Sequence, residues 1–60
     1  MKVKAKRTLK NSYCEALFRE GTEYRVIEED EKRVFIENEL HWETVVRKAK
    51  LLNDFDIVEE

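Results

Sequence analysis

Proline is absent from this chain, and glycine, cysteine and histidine occur once each in its 60 residues. Each scarcity removes a class of chemistry. A single cysteine, Cys14, excludes an internal disulfide and a cysteine-based metal cluster. One free thiol suits a reducing compartment, and Cys14 is expected as a small, semi-buried apolar residue. A single glycine, Gly21, excludes a glycine-rich phosphate loop. The one histidine, His41, falls at an expected loop tip, and with Ser12 and Cys14 it makes no supported nucleophile–base pair. Carboxylates are plentiful, but Glu28-Glu29-Asp30-Glu31 lacks the spacing of a calcium loop. The reading is non-enzymatic, with no cofactor and no metal, and so short a chain leaves little room for a ligand pocket.

Long apolar runs are also missing. None approaches the roughly 18 residues of a membrane span. The basic start MKVKAKRTLK is followed by no apolar signal core, so the expected location is the cytoplasm. What is present is charge of both signs: charged residues are 43% of the chain, yet the net charge is −2. The 42% of hydrophobic residues is too much for simple disorder. A single small domain over residues 1–60 is expected, burying only roughly 60% of its unfolded surface.

The organising stretch is Leu17 to Asn38. Tyr24, Val26, Val34 and Ile36 alternate with mostly charged neighbours, the period of half-buried strands. A reversal centred on Asp30 sets Val26 against Val34, Tyr24 against Ile36 and Glu28 against Lys32. Arg25, Ile27, Arg33 and Phe35 then take the outer face. Gly21 is expected where the backbone needs positive φ or a tight reversal. Before it, Lys2 to Leu9 alternates as a strand with Val3, Ala5 and Leu9 on one face and Lys2, Lys4, Lys6 and Thr8 on the other. The closing segment from Phe55 supplies an acidic strand. Antiparallel pairing of first and last strands sets Lys2, Lys4 and Lys6 against Asp56 and Glu60.

Two segments admit rival readings. Lys10 to Glu20 is either a short helix capped by Ser12 and Glu15, or a loop pinning Tyr13, Leu17 and Phe18 onto the core; the loop is preferred. Glu39 to His41 reads as a second hairpin turn, Trp42 to Val46 as strand four, and Leu51 to Asn53 as a 3₁₀ turn. The rival is one helix from Asn38 to Asn53.

Two surfaces could carry function. Ile27, Phe35 and Val45 form an outward apolar strip, with Trp42 or Arg25 at its border, of the kind that contacts another protein. Glu28, Glu29, Asp30 and Glu31 add an acidic surface for a basic partner. The same strip could instead be covered by the Lys10–Glu20 segment or by a second copy of the chain. The alternative function is nucleic-acid binding through Lys2, Lys4 and Lys6, aided by Arg7 and Lys10. Against it, the net charge is negative and both the hairpin tip and the C-terminus are acidic.

LFREGTEYRV, with Phe18, Gly21, Tyr24 and Val26, resembles the diverging-turn segment of SH3 domains. VFIENELHWETVV resembles their distal hairpin, and LLNDFDIVEE their 3₁₀ turn and closing strand. The resemblance implies an all-β fold: a small five-stranded SH3-like barrel with a short helical turn near the C-terminus. AKRTLKNSY lacks the Ala-Leu-Tyr-Asp-Tyr signature, Val34 stands in place of the groove tryptophan, and no proline precedes the final turn. The proline-peptide groove is therefore expected to be missing. The remaining likeness is to small SH3-like barrels of bacteriophages and prophages. It implies an accessory protein acting by binding, often to a host factor, with inhibition of that host protein as one form the binding can take.

Overall fold

In a computed structural model, residues 1–58 are described. The strands are β1 (Lys2–Ala5), β2 (Leu9–Lys10), β3 (Ala16–Phe18), β4 (Glu23–Glu29), β5 (Arg33–Glu37), β6 (Glu43–Arg47) and β7 (Phe55–Val58). One helix, α1 (Lys48–Asp54), precedes β7. Five strands form an antiparallel sheet in the order β6-β5-β4-β1-β7, and β2 pairs with β3 as a separate hairpin. Among the described residues β6 and β7 do not pair with each other, so the sheet is open at both edges.

The first strand behaves as its alternation requires. Val3 and Ala5 are buried while Lys2 and Lys4 are exposed. It ends at Ala5, earlier than expected; just beyond it the Lys6 N–H still donates to the Asp54 carbonyl (2.7 Å), in step with the β1–β7 register, and Arg7 Nε donates to Asp54 Oδ1 (2.7 Å). First and last strands pair antiparallel, with Lys4 opposite Asp56. The expected contact with Glu60 lies outside the described residues.

The segment from Lys10 to Glu20 is a loop and short hairpin, not a helix. Its organiser is Asn11 rather than Ser12: Asn11 Oδ1 accepts the N–H groups of Tyr13 (2.9 Å) and Glu15 (3.0 Å). This tight turn carries Cys14 at φ 62°, exposed, which corrects its expected semi-buried place. Tyr13 is 82% exposed and is not pinned to the core. Phe18 is 1% exposed and sits at the centre of that core, edge-on to Tyr24 (4.9 Å) and Phe55 (5.0 Å). Gly21, at φ 80°, turns the chain into β4 and donates its N–H to the Ala5 carbonyl (2.8 Å). That backbone conformation is open to glycine at no steric cost.

The β4–β5 register differs from expectation. Val26 pairs with Ile36, not Val34; Glu28 pairs with Phe35, not Lys32; and Glu29 pairs with Val34. Asp30 sets the turn: its Oδ1 accepts the N–H groups of Lys32 (2.8 Å) and Arg33 (2.7 Å), which leaves Glu31 and Lys32 as the loop. That turn alone would move Tyr24 and Val26 to the wrong face, because a one-residue slip reverses every side chain. A bulge at Ile27 restores the phase. Tyr24, Val34 and Ile36 are buried and Val26 is half-buried, as their spacing predicts.

The Asp30 carboxyl is held below the usual carboxylate range. The largest cause is the Lys32 N–H, then the Arg33 N–H and guanidinium. A lowered folded pKa contributes stability above the unfolded value and loses it as pH falls through the folded one. Hence part of the acid sensitivity below about pH 4 belongs to this turn. In thermal melts across that range, Asp30→Asn is expected to lose less stability than wild type, since an amide oxygen keeps both backbone bonds. Parallel acid limbs in the two proteins would contradict this.

β6 follows the turn at Glu39–His41 and begins at Glu43, one residue later than expected. The rival of one helix from Asn38 is thereby excluded. The helix that does form is longer than the expected 3₁₀ turn and buries only Leu51. Seven residues are too few for a helix to persist alone, so tertiary packing through Leu51 holds it. Among the described residues no helix is long and apolar enough to cross a membrane.

Candidate functional site

Because Val34 and Ile36 turn inward, Arg33, Phe35 and Glu37 turn outward. Their partners on β6 are Arg47, Val45 and Glu43. On β4 the bulge brings both Ile27 and Glu28 opposite Phe35, so Glu28 joins that row in place of pairing with Lys32. The result is a cross-strand row of Ile27, Phe35 and Val45. Ile27 is 47% exposed, Val45 is 50% exposed and Phe35 is half-buried. Arg33 lies with its guanidinium 5.5 Å from the Phe35 ring centroid, a cation–π contact that supports the ring from one side. Arg25 lies on the same outward side of β4, exposed.

Trp42 is brought near this row in sequence but not in face. Its carbonyl accepts the Asn38 N–H (2.8 Å), so it pairs with a residue whose side chain is buried. Alternation then places it with Thr44 and Val46 rather than with Val45. It is 68% exposed at the turn.

The four acidic residues of the tip do not act as one surface. Glu29 pairs with Lys48 (3.2 Å) and Asp30 with Arg33 (2.9 Å), while Glu28 and Glu31 remain exposed without an ion pair among the described residues. An open cleft beside the tip is lined by Asp30, Glu31, Lys32, Arg33, Arg47 and Lys48, both signs together.

The lysine row is similarly divided. Lys4 lies between Glu23 and Asp56 on its neighbouring strands, and Lys6 Nζ is 3.6 Å from Asp56. Lys6 also donates to the Leu52 carbonyl (2.7 Å). Lys2 faces Arg25 and Val58. Acidic neighbours thus screen two of the three lysines.

Two polar residues shape the site that sequence reasoning passed over. Asn38 is 5% exposed. Its Oδ1 accepts the N–H groups of Leu40 (2.9 Å) and Trp42 (3.1 Å), and its Nδ2 donates to Thr44 Oγ1 (2.8 Å). This network holds His41 at φ 64° and launches β6 in register with β5. Glu39 accepts a hydrogen bond from the Tyr24 hydroxyl (2.7 Å), and that hydroxyl accepts the Arg19 N–H (2.7 Å). Burial pushes the Tyr24 phenol above its ordinary pKa; the Arg19 N–H opposes the shift and the Glu39 carboxylate adds to it. The signal for Asn38 was an asparagine at the start of a polar turn, a residue whose side chain bonds backbone groups just ahead of it. Against protein-family models, curated proteins and solved structures alike, the chain gives no significant match.

Proposed function

We propose that this chain is a non-enzymatic protein-binding module, built as a small SH3-like barrel of bacteriophage or prophage type. In this reading it is an accessory protein that binds a host protein in the host cytoplasm and inhibits it. The observation that carries the binding role is the outward row Ile27–Phe35–Val45, two of whose members are about half exposed on so small a sheet. Apolar side chains lined up across strands, rather than scattered, favour a contact surface. Glu28, opposite Phe35, and Arg25 border the row and suit a partner with an apolar centre and a charged rim. The SH3-like part of the reading is supported by a hairpin excursion between β1 and β4, a glycine turn at Gly21 and a helical turn before the last strand.

The test is capture of partners from bacterial lysate with the wild-type chain and with Phe35→Asp. The reading expects a protein retained in high salt by the wild type and weakened roughly 30-fold or more by the variant, the size of a central contact residue. Retention of DNA or RNA that collapses with salt, and that depends on Lys2, Lys4 and Lys6, would replace it with the nucleic-acid reading.

A further inference from the structure

β6 is an edge strand whose charges are arranged against its own neighbour. Glu43 stands directly opposite Glu37, and Arg47 directly opposite Arg33. Like charges in directly opposed positions are destabilising. Arg33 is relieved by Asp30, but neither Glu43 nor Arg47 has an ion-pair partner among the described residues. Both are exposed, as is Val45 between them.

The free edge also has a definite phase. The Asn38 N–H bonds the Trp42 carbonyl and the Lys48 N–H bonds the Lys32 carbonyl. With the β5–β6 register, this makes Ile36–Thr44 and Val34–Val46 the hydrogen-bonded pairs. The N–H and C=O groups of Glu43, Val45 and Arg47 therefore point away from β5, toward the open edge. No described strand pairs with them.

We propose that this edge pairs antiparallel with the same edge of a second copy, across a two-fold axis at Val45. The strand reads Glu-Thr-Val-Val-Arg. Centred on Val45, antiparallel self-pairing sets Val45 against its mate, Glu43 against the mate's Arg47, and Arg47 against the mate's Glu43. These are the three positions whose backbone groups face the edge, so ladder and side-chain charges fall into one register. Glu43 and Arg47 each gain a partner of opposite charge. The outward rows of the two copies also join end to end through the Val45 pair, giving Ile27–Phe35–Val45 and its mate as one continuous strip. This goes beyond the partner-binding reading, because the second copy uses the backbone edge while Phe35 and Ile27 stay open on the face.

Sedimentation of the full chain from about 1 µM to 1 mM tests the pairing. Wild type is expected to move from the 7.3 kDa chain toward twice that mass as concentration rises. Glu43→Arg and Arg47→Glu each turn both charge pairs repulsive, and each is expected to weaken self-association at least roughly tenfold. Neither should lower the melting temperature of the single chain, since each turns a like pair with β5 into an opposite one. The double variant Glu43→Arg/Arg47→Glu restores the dimer. Mixing the two single variants yields a heterodimer, in which every pair is again of opposite sign. A wild type that stays at 7.3 kDa throughout, or single variants that associate as tightly as wild type, would overturn the proposal.

Discussion

Phe18→Ala is expected to leave no stable folded protein at room temperature. The ring is 1% exposed and edge-on to both Tyr24 and Phe55, so it joins the β3 excursion to the middle and the end of the sheet. Truncating a buried phenylalanine to alanine costs about 3–5 kcal/mol, part transfer and part unfilled cavity. A single core in a chain under about 70 residues rarely supplies more than 3–5 kcal/mol in total. The two magnitudes are equal, so the loss removes essentially all the stability. Collapse of dispersed amide signals in an NMR spectrum, with no cooperative melt, is the expected result. A cooperative melt within a few degrees of wild type would mean that Phe18 is not at the centre of the core.

Asn38→Ala is expected to cost about 2–3 kcal/mol without touching the apolar core. The substitution leaves the N–H groups of Leu40 and Trp42 and the Thr44 hydroxyl without the partner they now have. Unsatisfied groups cost roughly 1–3 kcal/mol each where water is excluded, and less at a turn that water can reach. The effect should be local before it is global. Hydrogen exchange at Thr44 through Val46 should accelerate more than exchange at Val3 or Ala5, because Asn38 sets the turn that launches β6. Asn38→Asp keeps the acceptor oxygen and should recover part of the loss. Equal stabilities of Asn38→Ala and wild type in urea would show that backbone bonds alone hold the turn.

What could be read from the residues was whatever the hydrophobic period controls. Tyr24 with Val26, and Val34 with Ile36, alternate with mostly charged neighbours, and burial requires them on one face, so the inner and outer sides of the central strands were legible. Gly21 was legible because one glycine in a charged chain has a conformational reason to be there. The register was not legible. It depends on one side-chain oxygen of Asp30 and on a single unpaired residue, Ile27, and neither leaves a mark in the apolar pattern. Tyr13 and Cys14 were placed too deep for a related reason: Asn11 organises their loop through polar bonds that require no burial. The helix after β6 was visible as a run of good helix formers, but its start at Lys48 is set by where the β5–β6 ladder ends. The apolar row of the site followed from the faces; its opposite-charge, self-complementary edge required the β5–β6 register, which pairs like with like.

The central claim is that Phe35 and Ile36, adjacent in sequence, belong to opposite sides of one sheet, one closed and one available. Urea unfolding of Phe35→Asp and Ile36→Asp, side by side, tests it most directly. Phe35→Asp is predicted to unfold cooperatively within about 2 kcal/mol of wild type, the scale of a lost half-buried ring and a poorer strand residue. Ile36→Asp is predicted to abolish the transition, because it buries an unpaired carboxylate at a position 0% exposed. Comparable collapse of both variants would contradict the account and close the face on which the proposed binding depends.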